Sequence, residues 1–234
     1  MSEAARQAAT GPAIQIGSLE ATPHVSGALH LVEERTLLVA DLHLEKGSAM
    51  AARGVFLPPY DSRATLLALA GAIMAFAPRR VIALGDSFHD AGGSHRLDPA
   101  DREALNAAAS GRDWVWLLGN HDPAPPAGLP GESCASLTLG GVTLRHEPSA
   151  AAQGPEIAGH LHPAGKVRMR GRAVRRRCFA ACQERIVMPA MGAYAGGLNV
   201  LDSAFSPLFG GGFEAWMIGD SRLFRISRGQ LLPD

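Results

Sequence analysis

The 234-residue chain has no excess charge of either sign, little cysteine and no long apolar run. Lys and Arg together number 22, as do Asp and Glu, so no overall field marks the chain as a nucleic-acid-binding protein. The longest apolar run, residues 66–77, is too short to cross a bilayer, and residues 1–17 lack the basic and apolar regions of a secretory signal. Three cysteines cannot all pair within the chain, so we expect free thiols, no membrane association and a cytoplasmic location.

The distribution of apolar residues predicts an α/β fold. Residues 36–120 alternate between strand-like and helix-like segments, a pattern typical of parallel strands covered by helices. The predicted strands cover 28–34, 36–44, 81–86 and 114–120, and the predicted helices cover about 45–54, 61–77 and 99–110. After residue 130, hairpin-like patterns at 136–148 and 213–227 indicate a mostly β half. No boundary separates regions that look independent, so we expect a single domain over residues 1–234.

Polar side chains follow the apolar strands at the points where the strands end. In α/β sheets these carboxyl ends border the ligand crevice. A single aspartate there would serve as a helix cap, but capping does not explain the same kinds of residue at five strand ends. The residues concerned are Asp41, His43, Asp86, Asn120, His121, His146, His160 and His162. We therefore predict a metal site at this edge of the sheet.

The composition of the ligand set indicates how many ions it binds. Two aspartates, one asparagine and four histidines exceed the needs of one ion, and no thiolate lies among them. Mixed oxygen and imidazole ligands suit Mn, Fe, Zn or Ni, and we expect Mn. Two ions about 3.5–4 Å apart would share the set if one carboxylate bridged them, as in two-metal phosphatases and nucleases. Asp86 is the natural bridge because it follows a central predicted strand.

The motifs DLH, GD, GNHD, H and GHLH occur in this order within residues 41–162, and together they resemble the calcineurin-like metallophosphoesterase superfamily. The resemblance implies a four-layer α/β sandwich, in which two mixed β-sheets pack together with helices outside. It also implies two metal sites that share one aspartate. The first ion would be bound by Asp41, His43, Asp86 and His162, and the second by Asp86, Asn120, His146 and His160.

The same resemblance implies a phosphoesterase mechanism. A hydroxide that bridges the two ions would attack the phosphorus in line, because a water shared by two ions loses its proton near neutral pH. His121 matches the family's histidine beside the substrate. Together with Asn120 it would contact the phosphate, and it would protonate the leaving oxygen.

His89 stands three residues after Asp86, where many phosphatases of the superfamily have an acid. A histidine there resembles the superfamily's double-strand-break repair nucleases, so His89 is a second catalytic candidate, for substrate contact or proton transfer. The alternative is a residue in the first turn of a helix. The roles of Asp90 and Asp122 stay open, and Asp122 also fits a turn before Pro123.

Residues 41–58 and 188–200 resemble a narrower bacterial group, the ligase-associated DNA-damage-response endonucleases or PdeM-type metallophosphoesterases. This resemblance implies a phosphodiester substrate, DNA or a nucleotide, and helicase- and ligase-associated repair proteins as partners. The glycines of residues 191–199 would either admit the substrate closely or allow tight backbone packing, and we favour packing.

Residues 166–177 contain seven basic residues and no acid. Alternation along a strand would place Lys166, Arg168 and Arg170 on one face. Such a face would bind a polyanionic backbone, with Arg168 and Arg170 as substrate-binding residues, or it would simply be a solvated surface of an Arg-rich chain.

The function that we expect is a metal-dependent phosphodiesterase, with a DNA-repair endonuclease as its most specific form. A phosphomonoesterase acting on a small metabolite would use nearly the same site and differ in the walls of its pocket. A non-catalytic scaffold would have a degraded site, whereas this sequence has every expected ligand and His121.

Overall fold

The computed structural model describes residues 9–234, whose strands form two mixed β-sheets. The first sheet has seven strands in sequence order: β1 (Ile14–Ile16), β2 (Leu19–Pro23), β3 (Leu29–Leu31), β4 (Thr36–Val39), β5 (Arg80–Leu84), β6 (Asp113–Leu117) and β7 (Glu132–Cys134). Strands β1 to β4 pair antiparallel, whereas β4 to β7 pair parallel. The parallel half agrees with the alternation predicted for residues 36–120.

The second sheet contains nine strands and mixes both directions. They are β8 (Ser136–Leu139), β9 (Val142–Arg145), β10 (Glu156–Ala158), β11 (Pro163–Met169), β12 (Arg172–Cys182), β13 (Arg185–Val187), β14 (Leu198–Asn199), β15 (Glu214–Ile218) and β16 (Leu223–Ser227). β10 runs parallel to both β9 and β13, and β12 runs antiparallel to β11, β13 and β15. β8 and β9 form the predicted hairpin, and Gly140 and Gly141 adopt the positive φ that its turn requires.

The first sheet is covered on its outer face by α-helices. The helices include Lys46–Ala51, Asp61–Phe76 and Pro99–Ala109, which agree with the predicted segments, and the short helix Gly93–Arg96, which the sequence did not predict. The helix Pro99–Ala109 begins with a proline in its first turn, and Asp98 accepts the N–H of Ala100 at 2.9 Å as its cap. Among the helices of residues 9–234, none has both the length and the apolar character to span a membrane.

Three apolar clusters hold the layers together. Leu38 and Ile82 of the first sheet share one cluster with Ile157 and Phe179 of the second sheet. A second cluster lies between the first sheet and its helices. The third covers the outer face of the second sheet with the 3-10 helix Ser203–Leu208 and its aromatic neighbours. Each fully buried Leu or Ile contributes about 1.5–3 kcal/mol. This order of layers confirms the predicted sandwich.

The strand predicted over residues 36–44 is shorter than its pattern indicates. β4 ends at Val39, and Asp41 and His43 then adopt left-handed backbone with φ of 52° and 42°. Leu42 and Leu44 are fully buried, so the apolar alternation continues although the strand has ended. The chain therefore leaves the sheet two residues before the first predicted ligand, Asp41.

The basic stretch 166–177 folds into the hairpin of β11 and β12. Arg170 lies in its turn with φ of 49°, outside the strand, so only Lys166 and Arg168 share the predicted strand face. Opposite residues of a strand pair lie on the same face, and Lys166 pairs with Arg175. The face is therefore built from both strands rather than from residues 166–170 alone.

Candidate metal centre

The predicted ligands lie in loops at the carboxyl ends of strands from both sheets. Asp41 and His43 follow β4, Asp86 follows β5, Asn120 follows β6, His146 follows β9, and His160 and His162 follow β10. Five of these seven residues have positive φ: Asp41, His43, Asp86, His160 and His162. Positive φ is uncommon for residues other than glycine, and such strained residues cluster at functional sites. The backbone therefore supports the functional interpretation independently of the side chains.

Three of the ligands predicted for the first ion form one compact group. The Nε2 atoms of His43 and His162 are 3.2 Å apart, and Nε2 of His162 is 3.4 Å from Oδ1 of Asp41. Asp41 is fully buried, and its carboxylate also accepts the backbone N–H of His160 at 3.0 Å. One ion of ordinary size would contact all three side chains.

The ligands predicted for the second ion form a separate group around His146. Its Nε2 atom is 3.4 Å from Oδ2 of Asp86, 2.9 Å from Oδ1 of Asn120 and 3.2 Å from Nδ1 of His160. Asp86, His146 and His160 are close enough together to hold an ion. Residues from β5, β6, β9 and β10 thus converge at one point.

Asp86 lies between the two groups. Its Oδ2 atom is 3.4 Å from Nε2 of His146 in one group and 4.0 Å from Nε2 of His43 in the other. The side chain is buried, and its other oxygen, Oδ1, accepts the backbone N–H of His121 at 2.9 Å. This is the position that a bridging carboxylate requires.

The donor set fits bound cations. Nδ1 of His146 donates to the carbonyl of Leu84 at 2.9 Å, so Nε2 is the ring nitrogen that faces the centre. Nε2 lies 2.9 Å from Oδ1 of Asn120 and 3.4 Å from Oδ2 of Asp86. Without metal, a proton on Nε2 compensates these oxygens, and a divalent ion bound by the same atoms would take its place.

The pKa values of the site agree with this conclusion. Burial, together with His162, lowers the pKa of His43 to about 3, so its imidazole is neutral, the form that binds metals. Burial would raise the pKa of Asp86, but hydrogen bonding to His146 holds it at about 2. Burial alone would lower the pKa of His146, but the hydrogen bond to Asp86 and the charge of Asp41 raise it to about 9. The buried carboxylates therefore require positive charge, and bound ions would replace the proton that supplies it.

His121 and His89 lie together at the open side of the centre. The ring of His121 is 38 % exposed, its Nδ1 donates to the carbonyl of His89 at 2.7 Å, and its Nε2 is 4.0 Å from Oδ2 of Asp86. The two rings stack with their centroids 5.1 Å apart. His89 is in a loop, four residues before the helix that begins at Gly93, so the first-turn alternative does not describe it. Both catalytic candidates are thus brought beside the ligands.

The two acids whose roles the sequence left open have different partners. Asp90 accepts the N–H of Gly92 at 2.9 Å and pairs with Arg96 at 2.8 Å, so it stabilises a surface loop. Asp122 is buried, and its Oδ2 accepts the backbone N–H groups of Ser87 and Phe88. Burial raises the pKa of Asp122 to about 6. Asp122 therefore supports the loop that follows β5, and its place in the GNHD motif was the only feature of the sequence that pointed to this role.

The glycine-rich stretch packs tightly against the loop that carries Asp41. The N–H of Gly192 donates to the carbonyl of Asp41 at 3.1 Å, and a Cβ at Gly192 would lie 2.6 Å from the carbonyl oxygen of Leu42. Such a contact is too short, so only glycine fits. This geometry agrees with the packing interpretation of residues 191–199.

The predicted substrate-binding arginines of the basic stretch lie away from this cluster. Arg168 is exposed in the outer part of β11, and Arg170 is exposed in the turn that follows. β11 begins one residue after His162, so the hairpin extends outward from the centre. The structure therefore places both arginines on a surface that continues from the site rather than within it.

Comparisons with known proteins give a match in fold. No protein-family model matches the chain, and no curated protein matches its sequence. Among solved structures, a nuclease named MPE from Pseudomonas putida is similar, with 24% identity, a TM-score of 0.70, and coverage of 92% of this chain and 100% of that chain. YfcE, a phosphoesterase from E. coli, matches at 16% identity and a TM-score of 0.39 over 82% of this chain and 98% of that chain.

The fold is therefore the two-sheet α/β sandwich of a solved nuclease, and the similarity to MPE extends over nearly the whole chain. At 24% identity, the similarity to MPE shows the fold alone. The match to YfcE is too distant to add to this conclusion.

Proposed function

We propose that the protein is a metal-dependent phosphodiesterase that cleaves DNA or nucleotides at a dinuclear centre. The observation that carries the proposal is the position of Asp86 between two groups of converging ligands, with His121 on the open side. Two-metal sites of this composition occur in phosphatases and nucleases. The similarity in fold to a nuclease supports a nucleic-acid substrate.

Two sets of residues, which share Asp86, would bind the two ions. Asp41, His43, Asp86 and His162 would hold one ion, and Asp86, Asn120, His146 and His160 the other, with Mn preferred over Fe, Zn or Ni. Bound divalent ions supply a nucleophile at neutral pH and polarise the phosphoryl oxygens.

His121 would protonate the leaving oxygen. Its Nδ1 is held by the carbonyl of His89 at 2.7 Å, so Nε2 is the atom that faces the substrate and carries the transferred proton. The stacked ring of His89 limits rotation of His121 and forms part of the wall that the substrate contacts. A neutral histidine at this wall does not repel a phosphate, as an acid would.

A phosphomonoesterase is the second candidate, because cations lie near the open side. Burial and the charges of Lys46 and Arg53 lower the pKa of His89, so both basic side chains are within electrostatic reach of this wall. A monoester carries one more negative charge than a diester and would be attracted more strongly by these residues.

Hydrolysis of bis-p-nitrophenyl phosphate against p-nitrophenyl phosphate, with Mn²⁺ added, tests the proposal. We expect the wild type to prefer the diester and His121→Ala to lose about 10²–10⁴-fold in kcat while it still binds metal. A preference for the monoester would favour the second candidate. Metal-loaded protein without activity on either compound, DNA or nucleotides would favour a scaffold.

We also propose that residues 1–234 form one domain that works in the bacterial cytoplasm with helicase- and ligase-associated repair proteins. The support is the resemblance of residues 41–58 and 188–200 to the ligase-associated group, together with the charged surface of the β11–β12 hairpin. Co-purification of a tagged chain from its own cells, before and after DNA damage, tests the association.

A further inference from the structure

Two cations face each other across the β11–β12 hairpin with one carboxylate between them. Lys166 and Arg175 are directly paired across the two antiparallel strands. Oδ1 of Asp234 is 3.9 Å from Nζ of Lys166 and 3.2 Å from Nε of Arg175. Like charges directly opposite each other destabilise a strand pair. The pair therefore favours an anion at this point, and Asp234 occupies it.

The segment that carries Asp234 is held in place by the backbone. The N–H of Leu232 donates to the carbonyl of Lys166 at 2.8 Å, and the amide of Asn199 donates to the carbonyl of Leu232 at 3.0 Å. Arg175 also donates to the carbonyl of Gly197 at 2.5 Å. The anion position is therefore built from three separate parts of the chain.

This position lies on a cationic face that leads to the metal centre. Arg177 is on the same face of β12 as Arg175, and it donates to the carbonyls of Ala190 and Met191. Met191 in turn bonds to Ala40, next to the ligand Asp41. Lys166 is four residues beyond His162 along the chain, a distance of about 13 Å in an extended strand. A polyanion bound at the centre would reach this face.

We propose that Lys166 and Arg175 form a subsite for a phosphate group of a polynucleotide, remote from the scissile bond, and that Asp234 occupies the subsite until that phosphate displaces it. The proposal rests on the proposed phosphodiesterase function and deepens it. A backbone phosphate makes the same paired contacts as a carboxylate, with Arg175 as the directional donor and Lys166 as a point charge. Small esters do not extend to the subsite, so only polymeric substrates would use it.

Binding of a fluorescein-labelled oligonucleotide to the Mn²⁺-loaded protein, measured by anisotropy over a range of salt concentrations, tests the subsite, with every variant made in the His121→Ala background to suppress hydrolysis. We expect Lys166→Gln and Arg175→Gln each to reduce the slope of log K against log salt by about 0.7–0.9. We expect Asp234→Asn to raise affinity about threefold, because the ion pairs that compete with the phosphate are exposed and weak.

The controls remove the same charges elsewhere. Arg176→Gln changes an exposed arginine on the opposite face of β12, and Asp220→Asn changes an exposed acid between β15 and β16. Equal effects of Arg175→Gln and Arg176→Gln, or of Asp234→Asn and Asp220→Asn, would overturn the subsite. Hydrolysis of bis-p-nitrophenyl phosphate by the wild type tests the proposed function separately. A failure of the subsite and a failure of the proposed function would therefore be seen in different measurements.

Discussion

Asp122 accepts the backbone N–H of Ser87 at 2.8 Å and so joins the loop after β6 to the loop after β5. The contact is reciprocated, since Asp86 of the β5 loop accepts the backbone N–H of His121 in the β6 loop at 2.9 Å. Each loop thus supplies a carboxylate to the amides of the other. The two hydrogen bonds fix the central carboxylate and the proposed acid relative to each other.

Loss of Asp122 should therefore affect catalysis as well as stability. Asp122→Ala leaves the amides of Ser87 and Phe88 without their acceptor, which should cost about 1–3 kcal/mol in urea unfolding. It also lets His121 shift, and we expect kcat on bis-p-nitrophenyl phosphate to fall at least about tenfold. Asp122→Asn keeps a carbonyl oxygen in place and should recover much of both. Full activity of the alanine variant would contradict the positioning role.

Asp86→Asn should reduce metal binding at both groups. The asparagine side chain has one oxygen instead of two and carries no negative charge. It would therefore bind a cation more weakly between His43 and His146 than the carboxylate does. We expect elemental analysis to find fewer than two Mn per chain after reconstitution, and Mn to raise the melting temperature less than in the wild type. Asp220→Asn, on an exposed turn, serves as the control that keeps both ions.

Gly192→Ala should destabilise the protein because the new Cβ would meet the backbone of Leu42 at 2.6 Å. We expect a loss of about 1–3 kcal/mol in the free energy of unfolding, with weaker metal binding because the neighbouring Asp41 loop must move. Gly196→Ala is the matched control, since a Cβ at Gly196 has no atom within 4 Å. Similar stability of the two variants would show that the close approach is not limiting.

Two histidines of the first sheet should make the protein sensitive to acid. His24 and His30 both contact the ring of Phe76, and burial lowers the pKa of each below its ordinary value of 6.5. The folded state therefore binds protons less readily than the unfolded chain, and this contribution to stability is lost as pH falls below about 6.5.

The measurement is urea unfolding of the metal-free protein between pH 7.5 and pH 5. We expect His24→Gln combined with His30→Gln to reduce the loss of stability over this range. His95→Gln, which changes a histidine that does not contact Phe76, serves as the matched control. An unchanged slope in the double variant would assign acid sensitivity to other groups.

The sequence by itself determined which residues the structure brings together in the two groups at the strand ends. Each ligand stands within a few positions of an apolar strand end, so the pattern of buried strands and the order of the motifs identify the set. The same alternation predicts the parallel strands and their covering helices, whereas the two-sheet sandwich is what the family resemblance implies. The strand predicted over 36–44 is too long because Leu42 and Leu44 are buried outside the sheet and continue its alternation.

Only the tertiary structure decided how these residues divide and what supports them. Asp122 contacts Ser87 across 35 residues, and Arg175 meets Asp234 across 59. The position of Asp86 between two groups likewise depends on how β4, β5 and β9 align in two packed sheets. Apolar periodicity records which face of a strand is buried, but it holds no information about which distant loop approaches that strand's end. Those contacts depend on how the two sheets and their loops pack against each other, and this packing exists only in the folded chain.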